Sequence, residues 1–183
     1  MRKILYLAIT STILFTSCTK NVSGTSGVFI NPLDIETAEE TGFLTPAVVF
    51  FPATAATNVG GGVTLDIHAM EVDSIAGSHI QVSYNKAKLS LLNLSQGSFY
   101  DGAPEMLFYY EDDTNLGLID IYSGFLGVDS SSVSGTGQLA SMVFTTISAG
   151  LSIVTFTVLS EFVDPQDNTI EILGYGVSEV VAE

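Results

Sequence analysis

The chain has no tryptophan, one cysteine, and five lysines and arginines among its 183 residues. Each shortage excludes something. A single cysteine permits no disulfide within the chain, so the core must hold the fold, and it rules out a cysteine-rich zinc cluster. Five cations against 20 acids, a net charge of −15, exclude nucleic acid as a partner, because phosphate binding needs a basic footprint. The same imbalance repels the protein from anionic lipid surfaces. Only 14% of residues are charged, so the acidity reflects missing lysine more than abundant acid. It reads as solubility, or as attraction to a basic partner or to calcium. Two histidines, His68 and His79, give no metal-binding pair, and no Gly-x-Ser-x-Gly elbow is present. No enzyme activity is expected. No stretch sustains a helical period with a proper cap.

What is present begins at the ends. Arg2 and Lys3 precede an apolar run from Ile4 to Phe15. The run is too short to span a bilayer and fits the core of a signal peptide. Leu14-Phe15-Thr16-Ser17-Cys18 resembles a bacterial lipobox. That resemblance implies removal of residues 1–17 and acylation of Cys18, anchoring the protein to the cell envelope through lipid. Thr19 lacks the acidic character that retains lipoproteins at the inner membrane, so the outer membrane or cell surface is expected. Cleavage would leave 3 basic and 20 acidic residues, a net charge of −17. Residues 18–45 are rich in Ser, Thr, Gly and acids and read as a tether, with one helical turn conceivable over Asp34–Glu40. One domain, 46–183, remains.

That domain reads as strands. Val63, Leu65, Ile67 and Ala69 alternate with Thr64, Asp66 and His68, placing His68 on a wet face. Ile80 and Val82 alternate with His79, Gln81 and Ser83. Lys88–Leu94 is nearly continuously apolar. Met106–Tyr110 and Leu116–Tyr122 flank an acidic turn and form a hairpin, in which Leu118, Asp120 and Tyr122 share one face. In Ser134–Phe144 a glycine-punctuated turn, with Gly135 and Gly137 at positive φ, enters a strand whose Leu139, Ser141 and Val143 oppose Ala140, Met142 and Phe144. Ser152–Val158, Ile170–Leu173 and Tyr175–Val181 complete the series. The expectation is an all-β, jelly-roll-like antiparallel β-sandwich of about nine strands.

The order of these segments carries a resemblance. Val59-Gly60 before Val63-Thr64-Leu65, Ile75-Ala76-Gly77 through Tyr84-Asn85-Lys86-Ala87-Lys88-Leu89, Gly97, Ser134–Phe144, Gly150-Leu151-Ser152 and Asp164–Ile170 follow the motif series of cohesin domains. The series covers about Pro46 to Val181. Cohesins are the β-sandwich modules that hold dockerins on cellulosome scaffolds. The resemblance implies a cohesin-like fold, a dockerin-like protein partner and a setting in polysaccharide breakdown. Two departures stand out. Asn85-Lys86 replaces the family's Asp-Pro, and Gly77 and His79 occupy the third-strand positions where primary-scaffold cohesins carry an Asn and an Asp.

The contact set expected for protein–protein adhesion is His79, Gln81, Ser83, Leu118, Asp120 and Tyr122. The alternative is a carbohydrate-binding module with Tyr100, Tyr110 and Tyr122 as a polysaccharide platform. No cofactor is required. Weak calcium binding at Glu111, Asp112 and Asp113 is the one metal alternative, since loop carboxylates suit that ion.

Overall fold

The computed structural model describes residues 44–101, 105–126 and 131–183. The signal peptide 1–17, Cys18, the turn at Asp34–Glu40 and nearly all of the 18–45 tether lie outside the described residues. Among the described residues there is no helix. The strands are β1 (Ala47–Phe51), β2 (Thr54–Thr57), β3 (Gly62–Ile75), β4 (Gly77–Ser83), β5 (Leu89–Gln96), β6 (Met106–Asp113) and β7 (Leu118–Phe125). They continue with β8 (Val133–Thr146), β9 (Gly150–Phe156), β10 (Glu161–Val163), β11 (Thr169–Ile170), β12 (Gly174–Tyr175) and β13 (Val177–Ala182). A five-stranded sheet runs β12-β1-β3-β8-β5, and an eight-stranded sheet runs β11-β10-β4-β9-β13-β2 with β7 on β4 and β6 on β7.

The sandwich is as expected in class, but not in detail. The described residues form thirteen strands against an expected nine or so, and two pairings are parallel, β1 with β12 and β13 with β2. The parallel pairings have one cause. Pro52 cannot donate to a ladder, so the first segment stops at Phe51 and resumes as β2 in the other sheet. The last segment makes the same crossing beside it: Gly176 donates to Val48 O at 2.7 Å and Glu179 to Ala53 O at 2.9 Å. Two chain ends changing sheets side by side leave no alternation signature.

The inner faces meet as strand alternation dictates. Val48, Phe50, Leu65, Ile67, Met142 and Phe144 from the smaller sheet bury against Ile80, Val82, Ile119, Ile121, Val154 and Phe156 from the larger. Phe50 and Phe156 stack between the sheets at 4.0 Å. Each such side chain contributes roughly 1.5–3 kcal/mol on burial, the main stabilising term in a chain without disulfides.

Three places depart from the simple period-2 reading, two of them at bulges. Leu92 bulges out of β5 and is 70% exposed, which lets Leu94 join Leu89 inside. Leu139 is skipped in the β3–β8 register, so it is buried together with Ala140 instead of opposing it. His68, expected on a wet face, is buried and packs edge-on to Phe51, and that burial pushes its pKa below the ordinary value. Ser134–Gly137 is no turn but a bulged extension of β8. Its hydroxyls replace lost ladder bonds: Glu71 N donates to Thr136 Oγ1 at 3.1 Å and Ser74 N to Ser134 Oγ at 2.9 Å. Gly135 does take the expected left-handed conformation, at φ 106. Gly137 serves a different need, because a Cβ there would lie 2.3 Å from the Phe99 ring.

Phe99 and Tyr100 close that end of the sandwich. Gly97 N donates to Leu139 O and Phe99 N to Gln138 O, laying the segment against β8. Tyr100 is 1% exposed, so it is no sugar platform. Its ring meets Phe125 edge-on, and its hydroxyl lies beside the Ser78–Ser123 hydroxyl pair. Burial pushes its pKa up to about 12.

Two outcomes follow for stability. A Cβ at Gly97 would sit 2.1 Å from Gln138 O, so Gly97→Ala should destabilise by about 1–3 kcal/mol, read as a lower urea midpoint at unchanged slope. Above pH 10 the unfolded chain releases the Tyr100 proton while the folded chain keeps it, so stability falls as pH rises from 10 to 12. Tyr100→Phe should remove roughly 2–3 kcal/mol of that alkaline loss, and an unchanged pH profile would contradict the assignment.

Candidate binding face

The outward side of the eight-stranded sheet is organised in rows fixed by register. β4 sends Ser78, Ile80 and Val82 inward and Gly77, His79, Gln81 and Ser83 outward. β7 sends Ile119, Ile121 and Ser123 inward and Leu118, Asp120 and Tyr122 outward. The ladder pairs them as His79 with Tyr122, Gln81 with Asp120 and Ser83 with Leu118. All six residues expected to form a contact set therefore stand on one face, as three cross-strand pairs.

The first pair belongs to a longer row. β6 places Tyr109 opposite Tyr122, and β10 places Glu161 opposite His79. The His79 and Tyr122 rings stack at 4.5 Å and 4°, and Tyr109 lies against Tyr122 at 6.2 Å and 26°. Tyr109 OH donates to Glu111 Oε1 at 2.6 Å, which raises the tyrosine's pKa. The pKa of Tyr122 is also raised, by desolvation and then by Asp120 and Glu111.

Asp120 is the hub of the second row. Its Oδ1 accepts from His79 Nε2 at 2.7 Å and from Gln81 Nε2 at 2.8 Å. Thr157 Oγ1 donates to Gln81 Oε1 at 2.8 Å, and Ser160 Oγ accepts from Gln81 N at 3.0 Å. The β9–β10 connection thus lies over Gln81, which is only 8% exposed. Gln81 orients Asp120 from below and offers a partner little surface, whereas Tyr122, at 36% exposed, offers its ring edge.

Other expectations change. Tyr110 pairs with Ile121 and stands on the reverse side of β6 from Tyr109. Of the three tyrosines expected as a platform, only Tyr122 lies on the face, and His79 and Tyr109 occupy both sides of its ring. Glu111, Asp112 and Asp113 are strand residues and point to alternate sides. Glu111 holds Tyr109, Asp112 accepts from Tyr84 OH at 2.8 Å, and Asp113 accepts from the backbone of Asn115 and Leu116. Three carboxylates so divided do not form a calcium site, and no group of three metal-ligating side chains occurs among the described residues.

Sequence reasoning did not place Tyr109, Glu111, Leu107, Glu161 or Val163 on this face. Counting the hairpin back from Gly117 would have set Tyr109 opposite Tyr122. Nothing in the sequence announces β10, which pairs Glu161 with His79 and Val163 with Gly77 from far along the chain. Beyond Ser83 the face turns apolar, with Leu151, Ile153, Val177 and Val181 exposed on β9 and β13. No cation offsets its acids: the described lysines are Lys86 and Lys88, and they donate to Asn115 O and Leu151 O respectively.

A two-sheet sandwich whose free face gathers rings and carboxylates in registered rows defines a β-sandwich recognition module. The cohesin-domain family model matches residues 48–178, and the chain belongs to that family. No curated protein matches the sequence. Among solved structures, the fold is similar to a non-cellulosomal cohesin of the archaeon Archaeoglobus fulgidus (TM-score 0.59, 19% identity, 74% of this chain and 92% of that one). It is similar to a type II cohesin of the Acetivibrio cellulolyticus cellulosome (TM-score 0.63, 14% identity, 72% and 94%). It is also similar to a chain of a type I cohesin–dockerin complex from Clostridium thermocellum (TM-score 0.62, 18% identity, 75% and 94%).

Asp120→Ala should cost about 1–2 kcal/mol in urea unfolding, because it strands both the His79 and the Gln81 donors. Glu111→Ala, which removes one exposed bond, should cost under about 0.5 kcal/mol.

Proposed function

We propose that the chain is a non-catalytic binding module, anchored by lipid on Cys18 at the outer membrane or cell surface. It holds a dockerin-like protein through the outward face of its eight-stranded sheet, in a setting of polysaccharide breakdown. The observation that carries this reading is the registered set His79–Tyr122, Gln81–Asp120 and Ser83–Leu118 on the outward face of one sheet, open except at Gln81, where the β9–β10 connection lies. Family membership supports it, and so do the solved relatives that are complexes of a cohesin with a dockerin.

The chemistry suits a protein more than a sugar. A flat sheet of this width offers the roughly 800 Å² per partner that a stable protein interface buries. Among the described residues its carboxylates have no lysine or arginine partner, so a basic surface would be drawn to it and held in register. Sugar stacking needs open ring faces, and those of Tyr122 are taken by His79 and Tyr109. Tyr122 is therefore a poor platform for a polysaccharide.

The test is calorimetric titration of the full chain in detergent with dockerin modules from the producing organism. One of them should bind one-to-one at micromolar affinity or tighter. Asp120→Lys should weaken that binding at least tenfold, with a variant on the opposite sheet, Thr64→Lys, unaffected. Failure of every dockerin, or equal loss from both variants, would sink the assignment of this face.

A further inference from the structure

The row next to the aromatic one is hollow. Register aligns Leu107, Gly124, Gly77 and Val163 across β6, β7, β4 and β10, with two glycines in the middle. Bare backbone therefore floors a groove of about 420 Å³. Gly124 is fixed by sterics, since a Cβ there would lie 2.8 Å from Ala76 O. Gly77 is not so confined, for the nearest obstacle is the Val163 methyl at 3.1 Å. The hollow above Gly77 is thus a property of the sequence more than of the backbone.

The walls differ in character along the groove. Leu107, 43% exposed, and Val163 are apolar, while Tyr122 borders the row behind. At the β10 end stand three carboxylates, Glu161, Asp164 and Asp167. Asp164 accepts from the backbone of Gln166 and Asn168 and from Asn168 Nδ2, which holds its carboxyl below the ordinary range and keeps it ionised near neutral pH. Both described lysines are engaged elsewhere, so no cation of the domain fills the groove.

We infer that this groove takes an arginine or lysine side chain of the protein partner, its methylenes on the glycine floor between Leu107 and Val163 and its charge among the carboxylates beyond. This rests on the proposed binding face and names what one part of it recognises. The match is one of opposite needs. Methylene stems gain by covering apolar walls while their heads stay polar, as long cationic side chains do at surfaces. A leucine or methionine would shield the carboxylates from water without pairing them, which is costly, and an acidic side chain would be repelled. A charge-assisted hydrogen bond to carboxylate gives the cation its advantage.

The test needs no partner. Full-length ¹⁵N-labelled protein in micelles is titrated with Nα-acetyl-arginine methylamide and its lysine counterpart, with the norleucine and glutamate analogues as controls. The cationic probes should shift the amides of Leu107, Gly77, Gly124 and Val163 saturably in the millimolar range. Glu161→Gln should weaken that effect at least threefold, as should Gly77→Ala; the surface change at Glu161 keeps the test decisive if Gly77→Ala perturbs β4. Equal shifts from norleucine, or shifts spread over Glu171 and Glu179 without saturation, would overturn the inference. If the probes leave the groove unmoved while a dockerin still binds in an Asp120-dependent way, the groove assignment alone falls. If the probes bind as expected and no protein does, the groove stands as a cation site and the reading of the face falls.

Discussion

The pairing of β3 with β8 is the constraint on which the rest depends. These are the two longest strands, and they lie at the centre of the five-stranded sheet. With no disulfide available, the core must be closed by packing alone, and a period-2 strand offers only every second residue to that task. Bulges relieve the limit. Skipping Leu139 in the register buries two consecutive residues, Leu139 and Ala140, where strict alternation would bury one. The same stretch of β8 provides the carbonyls of Gln138 and Leu139 that receive Phe99 and Gly97. That draws Tyr100 into the core, where its hydroxyl lies beside Ser78 and Ser123. Those serines are register partners directly inside the binding face, between the glycine row and the aromatic row. A contact made in one sheet thus levels the surface of the other.

Period-2 alternation made much of this legible. The two-sided character of β4 and β7 is plain in Ser78–Ser83 and Leu118–Ser123, and it was enough to bring six residues to one face. Alternation says nothing of what lies beside a strand, however. Glu161 faces His79 only because β10 leaves the line of β9 after the Thr157–Ser160 turn. Nor does it foresee bulges or cover: Leu92 is turned out to solvent at a bulge, and His68, expected on a wet face, is buried. The motif Ser134-Gly-Thr-Gly stands out in the sequence, and Gly135 has the expected positive φ, but the segment is strand and not turn. Its hydroxyls stitch bulges, one glycine takes a left-handed φ, and the other makes way for an aromatic ring, three needs that only the folded neighbours reveal.

The electrostatics of the face follow from where the lysines went. Lys86 and Lys88 lie in the segment before β5 and are spent on backbone carbonyls, one joining the β6–β7 turn and the other β9. Each fixes an end of the sheet and neutralises no acid. Asp120 is instead partnered by His79 and Gln81, which orient it through two hydrogen bonds to one oxygen. Glu111 is held by a tyrosine hydroxyl. Such carboxylates are rigid and still charged, a combination that favours a fixed cationic partner over loosely held counterions.

Rigidity also bears on the two positions where the chain departs from the primary-scaffold cohesins it resembles. There the third strand carries an Asn and an Asp; here those places are Gly77 and His79. The substitution does not empty the face of polar chemistry but moves it by one strand. The carboxylate at the centre comes from Asp120 on β7, and His79 turns to it and stacks on Tyr122 instead of facing outward alone. Gly77 trades a hydrogen-bonding side chain for open space walled by Leu107 and Val163. A partner shaped for the family's usual pair would meet a void at one position and a ring edge at the other, leaving its own donors unmet on desolvation at a cost of about 1–3 kcal/mol for each. On the proposed reading, the same pair of residues that leaves such donors unmet also opens the space that suits a longer, cationic side chain.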